Sequence, residues 1–515
     1  MGGQEATLTG PDLGAGIAAS QLADGEKLLG HAKGEAVLLA RVKGEFFAIG
    51  ATCSHYGGPL AEGVIVGDTV RCPWHHACFS LQTGEALRAP ALSPVASWRV
   101  ERHGDTVVVT GKTERDPLGP TYPCETNGAK PRSIVIVGAG AAGSAAAEML
   151  RRCAFDGSIT LIDQEPDSPY DRPNLSKDYL AGNAPEEWIP LRPSGFYAEH
   201  DIQILRTRAL RLDPASRTVE LENGSEVSFD RCLLATGAEP VRLDIPGMDL
   251  SHVHTLRSLA DSRAIVAASK NQPTAVVIGA SFIGLEAAAS LRARDIDVTV
   301  VSPESVPLER VLGGALGASI RRLHESKGVK FRLGSKPAAI EADAIVLDDG
   351  TRLPATLVVV GVGVRPRLDL ATAAGLRMDR GVAVNEHLET SAPGIFAAGD
   401  IARWPDPHTN ERIRVEHWVV AQRMGQTAAR NMLGAAEAFD EVPFFWSAHY
   451  DMSVNYVGHA ERWDAERVDG DPDARDVAVR FEKDGRTEAL ATIFRDDESL
   501  NEEVAMEGGK AGRAS

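Results

Sequence analysis

The chain has 515 residues, too many for one hydrophobic core, and this length predicts roughly three or four domains. Its formal charge of -18 argues against tracking a nucleic-acid backbone, which needs clustered Lys and Arg, and favours small molecules or basic partners. No run of eighteen apolar residues, no secretory pattern near the start and no myristoylation site (Ala6 replaces the required Ser or Thr) are present, so a cytoplasmic protein without a membrane span is expected.

Residues 36–50, AVLLARVKGEFFAIG, alternate and break at Lys43-Gly44, the pattern of a hairpin in a small β domain. More strand-like pieces follow at 94–111, and residues 111–132, rich in Gly, Pro and charge, read as a linker. A first, all-β domain is therefore expected over 1–110. Within it lie two short matched segments, CSHYGGPL from Cys53 and CPWHHACF from Cys72, giving CxH, sixteen residues, then CxxH. Each segment offers one thiolate and one imidazole. In a Rieske centre two Cys hold one iron of a [2Fe-2S] cluster and two His hold the other. The spacing assigns Cys53 and Cys72 to one iron and His55 and His75 to the other. A structural Cys2His2 zinc site competes for the same four residues, but CxH is tight for a shared tetrahedral ion. Six cysteines do not make a disulfide framework in a chain of this length; Cys78 is read as a packed thiol, and Cys124, Cys153 and Cys232 as small buried or linker residues.

After the linker, short apolar strands alternate with helical patterns. SIVIVG runs into a glycine-rich turn at Gly138, Gly140 and Gly143, with Ala142 inside it, and AVVIG runs into a second at Gly279, Ser281 and Gly284, 141 residues later. One nucleotide-binding unit used twice is expected, each a parallel sheet covered by helices with pyrophosphate at the helix start. A carboxylate about twenty residues after the first turn should meet the adenosine ribose, and both Asp163 and Glu165 qualify. From about residue 435 the pattern returns to antiparallel strands, and the tail MEGGKAGRAS is expected to fray.

The first segment, with CSHYGGPL, CPWHHACF and LQTGEA, resembles the Rieske ferredoxin family over about a hundred residues. High-potential members carry an inter-loop disulfide whose place here is Gly58, and hydroxyl donors to the cluster whose places are Ala77 and Phe79. The resemblance implies a cluster near the lower end of the Rieske span, about −150 to about +300 mV. His76 replaces a Gly usual in that family, where positive φ is wanted.

The turn at Gly138, PYDRPNLSKDYL, LLATGAEP and TSAPGIFAAGDIA occur in an order that resembles the FAD-dependent pyridine-nucleotide oxidoreductases over 133 to about 434. That resemblance implies that Gly399 and Asp400 close the flavin site, the Asp accepting from a ribityl hydroxyl. Arg172 and Lys177 lie near the flavin, and Ala209, Ala235, Thr236 and Gly237 touch it through backbone. Gly363 belongs to the same cofactor surface. Glu286 pairs with Lys177 beneath the flavin, and these two form the catalytic pair. NADH is preferred over NADPH because Ser302 and Glu304, with no Arg before residue 310, end the strand after the second turn.

No CxxxxC of disulfide reductases and no Cys near Lys177 are present, so the resemblance narrows to the ferredoxin-reductase and apoptosis-inducing-factor branch. There His417, Trp418 and Trp446 border the flavin and nicotinamide. The helical Asp-x-x-His motif of Rieske oxygenases is absent, so substrate hydroxylation by this chain is not expected. The expected fold is multidomain: the all-β Rieske domain (1–110), a linker (111–132), an FAD-binding α/β domain (133–255 and 382–434), an NAD-binding α/β domain (256–381) and a small α+β C-terminal domain (435–515). The expected function is electron flow from NADH through FAD to the [2Fe-2S] cluster and on to a one-electron acceptor, an oxygenase or haem monooxygenase component among the candidates. A slow NADH-binding redox sensor, or a Rieske domain that only docks, are the alternatives. The protein is expected to act as a monomer or homodimer.

Overall fold

The computed structural model describes residues 8–113, 124, 130–270 and 273–508. The first hairpin pairs Glu35–Val42 with Glu45–Gly50. Lys43 (φ 53°) and Gly44 (φ 81°) supply the two left-handed residues that a tight two-residue turn needs. These strands belong to a six-stranded antiparallel sheet, whose last long strand, Thr106–Lys112, runs two residues past the expected end of the domain. A smaller four-stranded sheet contains Thr69–Arg71 and Cys78–Ser80, so Cys72 to Ala77 form the loop of one of its hairpins.

Two five-stranded parallel sheets follow, built alike. In the first, Ser133–Val137 lies between Ser158–Asp163 and Arg231–Leu234; in the second, Thr274–Ile278 lies between Asp297–Ser302 and Leu357–Val360. All these central strands are apolar and buried on both faces, as parallel sheets covered by helices require. The helices Ala141–Arg152 and Phe282–Ala293 leave the two central strands at the glycine turns. The fifth strand of the first sheet comes late in the chain, where Ile395–Ala397 pairs with Arg231–Leu234.

Phe444–His449 opens a five-stranded antiparallel sheet that also holds Met452–Gly458 and Arg486–Ile493. The helix Asp496–Gly508 ends the described chain, which corrects the expectation of fraying at Met506: Met506 packs near Val419 and Phe444, and Glu507 pairs with Arg71 at 2.7 Å. The rest of that tail lies outside the described residues. A second correction concerns Cys124 and Cys153, which are not isolated but form a disulfide with Cα atoms 5.4 Å apart. Residue 124 sits in the segment read as a linker, and no local pattern shows where a linker returns. Among the described residues no helix is long and apolar enough to cross a membrane.

Candidate functional site

The two Cys- and His-bearing segments fold as the same turn. Cys53 donates its backbone N–H to Gly58 and its carbonyl accepts from Gly57; Cys72 donates to Ala77 and its carbonyl accepts from His76. Gly57 (φ 81°) and His76 (φ 59°) occupy the equivalent left-handed position, so His76 adopts a conformation that favours glycine by about 1–2 kcal/mol.

The two turns bring like atoms together. Cys53 and Cys72 are buried, free and in hydrogen-bond contact, which pulls the Cys53 thiol below its ordinary value. The Nδ1 atoms of His55 and His75 face each other at 3.3 Å. Burial holds both imidazoles far below their usual pKa, in the neutral form that a metal ligand needs. A thiol pair and an imidazole pair on two matched turns fit a two-iron cluster.

The second constellation surrounds a cleft of about 1110 Å³ between the two parallel sheets and the C-terminal sheet. Gly138 (φ 105°) and Gly279 (φ 107°) make matching turns, in which a Cβ would strike the carbonyls of Ala235 and Gly361 at 2.2 and 2.3 Å. Gly140 has open space where its Cβ would stand, and it lines the cleft, so backbone can approach a pyrophosphate there. Ser281 replaces the corresponding glycine without loss: its hydroxyl donates to the Gly361 carbonyl at 2.7 Å and accepts from the Gly284 amide at 3.2 Å, capping the helix.

Asp163, Glu165, Arg172, Lys177, Ala235, Thr236, Gly237, Glu286, Gly363, Gly399, Asp400, His417, Trp418 and Trp446 all line this cleft. Gly143, Gly279 and Gly284 stand behind it, packing helix against strand. Ala209 does not reach it, because it lies in the strand Ala209–Asp213 of a separate three-stranded sheet. Glu304 is also off the wall, held by the Ser302 hydroxyl at the strand end, whereas Arg310 lines it.

Lys177 and Glu286 meet as expected from the resemblance, with Nζ donating to Oε2 at 2.9 Å. The Ser176 hydroxyl also donates to Oε2 (2.5 Å), and the Ser447 hydroxyl donates to Oε1 (2.6 Å). Ser447 then contacts His449 Nε2 (3.2 Å), and His449 Nδ1 contacts His324 Nε2 (3.1 Å). Burial lowers the pKa of both histidines, His449 to about 3, so this chain behind the pair is neutral. The local sequence shows none of it, since Ser447 and His324 stand on different elements.

Asp400 is paired with Arg257 (2.5 Å), a residue that carries no sequence signal. Of the two ribose candidates, Glu165 already accepts from Tyr170 and, at 3.4 Å, from Arg172. Asp163 meets the Glu165 amide at 3.3 Å and Arg206 at 3.7 Å, and burial raises it to about 6. That leaves Asp163 with the freer acceptor.

The two constellations touch. The His75 ring lies 4.3 Å from the Trp446 ring, and Trp446 lines the cleft. Tyr56, stacked on His55 at 4.0 Å, donates its hydroxyl to Asp171, the neighbour of Arg172. Burial raises Asp171 to about 6, against the smaller opposing effects of the Tyr56 hydroxyl, Lys177 and Asn174. A carboxyl raised in the fold carries no penalty below about pH 4, its unfolded value, and the full penalty above pH 6. The variant Asp171→Asn keeps an acceptor for Tyr56 and removes that penalty. It should gain about 2–3 kcal/mol at pH 8 and nothing at pH 4, as read by denaturant unfolding at both pH values. Equal gains at both would refute the assignment.

With this geometry in place, comparison with known proteins is direct. Residues 132–425 match the pyridine nucleotide-disulphide oxidoreductase family, and residues 15–99 match the Rieske [2Fe-2S] domain. The chain is 32% identical over 476 residues to apoptosis-inducing factor 3 of Mus musculus, covering 89% of this chain and 78% of that protein. It is 38% identical over 368 residues to the ferredoxin–NAD(+) reductase component of the anthranilate 1,2-dioxygenase system of Burkholderia cepacia, covering 70% of this chain and 90% of that one. The crystal structure of the covalent putidaredoxin reductase–putidaredoxin complex superposes with a TM-score of 0.71 at 33% identity, covering 73% of this chain and 93% of that one. The turns, the cleft and the paired thiols and imidazoles fit FAD, NADH and a [2Fe-2S] cluster. The chain therefore belongs to the pyridine nucleotide-disulphide oxidoreductase family, as a member with a Rieske [2Fe-2S] domain ahead of its nucleotide-binding core.

Proposed function

We propose that this chain is a self-contained NADH-oxidising reductase whose own Rieske domain receives electrons from its flavin and passes them to an external one-electron acceptor. The observation that carries this reading is the contact of His75 with Trp446, because it joins the cluster turns to the wall of the flavin cleft. When bound, FAD takes up hydride and releases single electrons, and the cluster carries one electron at a time.

The chain's own residues prepare these roles. Gly138 and Gly140 let the backbone approach the FAD pyrophosphate, Asp163 offers an acceptor to the ribose, and Gly399 with Asp400 closes the far end beside Arg257. Lys177 keeps its ammonium at the cleft wall because Glu286 holds it there. Ser281 and the helix it caps receive the nicotinamide nucleotide. His417, kept neutral by burial with a pKa of about 3, and Trp418 border its ring and exclude water. His55 and His75, also neutral, and Cys53 and Cys72 hold the cluster.

The acceptor is a one-electron redox protein, of the kind that an oxygenase system supplies. In rapid anaerobic mixing, NADH should bleach the flavin first, and the paramagnetic signal of the reduced cluster should then appear within the same molecule, at a rate independent of protein concentration. NADPH should act more slowly. A flavin that bleaches beside a permanently oxidised cluster would remove the intramolecular route.

A further inference from the structure

The conformation of His76 raises a question that the ligand set does not answer. In two otherwise matched turns one has glycine at the left-handed position and the other has a fully buried histidine. The side chain of His76 explains the exchange. Its Nδ1 lies 2.9 Å from Oε2 of Glu503, on the C-terminal helix Asp496–Gly508, and its ring stacks on Phe444 at 4.1 Å. Phe444 is two residues from Trp446 on the same strand, so His75 and His76 rest on one strand through adjacent same-face side chains.

Glu503 is itself completely buried and gathers cations from two parts of the chain. Arg88 of the first domain lies 3.1 Å away, and Arg423, on the helix Trp418–Met432 behind the flavin cleft, donates to Oε1 at 2.8 Å. Arg423 also donates to the His76 carbonyl at 3.3 Å and, through Nε, to the Ala89 carbonyl at 3.2 Å. The Ala89 amide in turn donates to Gln426 at 3.1 Å. The same carboxylate, carried by the C-terminal helix, thus meets the first domain and the flavin domain together.

We propose that Glu503 is a positioning residue that latches the Rieske domain onto the flavin domain, keeping His75 against Trp446 so that the domain is a fixed relay and not a swinging carrier. This rests on the electron route proposed above. Separating the domains would strip Arg88 of Glu503, Glu441 and Glu507, take Arg71 from Glu507 and break the bonds from Arg423 to the His76 and Ala89 carbonyls, while Arg423 and Glu503 kept each other; breaking a buried charge group is far costlier than never forming it. A carrier that had to swing toward its acceptor would not be built on such a joint. The acceptor must then approach the docked molecule.

The test uses the full chain loaded with FAD and cluster. Glu503→Gln preserves shape and removes the charge. Deuterium uptake in the peptides covering 72–79 and 444–447 should rise, and the reduced-cluster signal after flavin bleaching should appear about tenfold or more slowly, since small displacements of reacting groups cost large factors. The rate of bleaching by NADH and the spectroscopic signature of the cluster should not move. Glu503→Asp, which keeps the charge, should recover most of the transfer rate; an Asp variant as slow as the Gln variant would overturn a charge latch. Wild-type uptake together with wild-type transfer in Glu503→Gln would overturn the proposal outright. If that variant does not load its cofactors, Glu507→Gln, which loosens Arg71 and Arg88 at the rim of the cluster, should show the same two changes about threefold, and no change there counts against the latch. A wild-type cluster that NADH never reduces would defeat the electron route instead, while the uptake comparison would still report on the latch.

Discussion

His75→Ala is expected to abolish the [2Fe-2S] centre while leaving the flavin reducible by NADH. The two imidazoles face each other with Nδ1 atoms 3.3 Å apart, so no neighbouring nitrogen can stand in for the lost one; His76, next in sequence, is turned away toward Glu503. An iron left with one protein ligand does not stay bound, and iron and sulfide content should fall from one cluster per chain to near zero. The flavin cleft is built on other sheets, with the cluster turns contributing nothing to its lining, so bleaching by NADH should continue at close to the wild-type rate. Reduction of a one-electron acceptor should drop at least about tenfold if the cluster is the exit, because the flavin would then lack its relay. Cys72→Ser should behave alike. Iron and sulfide analysis with paramagnetic resonance checks the first half, and acceptor reduction the second. A His75→Ala protein with a full complement of cluster would dismantle the ligand assignment.

Glu286→Ala should have the second largest effect. It removes the carboxylate that receives Lys177, Ser176 and Ser447 in a site where Glu286 is 2% exposed. Among the described residues, the Lys177 ammonium would keep the Pro173 carbonyl, at 3.2 Å, as its hydrogen-bond acceptor. Breaking such a buried pair costs about 3–5 kcal/mol, so the lysine should leave the cleft wall. Flavin reduction by NADH should slow by about a hundredfold, the penalty for losing a positioned charge at the reacting centre. Glu286→Gln, which retains one acceptor oxygen without the charge, should fall between wild type and Ala. Stopped-flow bleaching under anaerobic conditions measures all three. Wild-type rates in Glu286→Ala would reduce the pair to a structural role.

These two predictions were accessible to different degrees before any coordinates. A ligand set could be read because metal chemistry imposes residue type and spacing together, and a thiolate and an imidazole in each of two short segments have few other uses; the fold sets the two thiols and the two imidazoles side by side. The glycine turns were legible for a similar reason: a strand that hands over to a helix around a phosphate leaves no room for a Cβ at Gly138 or Gly279. The Lys177–Glu286 pair came from resemblance alone, since 109 residues of chain separate them. Ala209 shows the weakness of that route. It sits in the matching stretch of sequence, but its strand is turned into a different sheet. Arg257, Ser447, His449 and His324 had no local signature, because an ordinary Arg, Ser or His becomes part of a site only through what the fold sets beside it.

Residue chemistry within short windows, then, was enough to propose the cluster ligands, to place the paired glycine turns and to put a Rieske domain ahead of an α/β nucleotide-binding core. Each depends on contacts within one loop or one strand–helix junction, and such contacts leave a spacing behind. The docking of the Rieske turns on Trp446, the disulfide from Cys124 to Cys153 and the burial of Glu503 among Arg88, Arg423 and His76 depend on segments distant in sequence. Side chains that meet across domains need satisfy only charge and shape at the meeting point, and neither imposes a period on the chain. His76 lies on the boundary between the two cases: the sequence marked it as an odd residue for its turn, and the packed structure supplies the carboxylate that makes it useful.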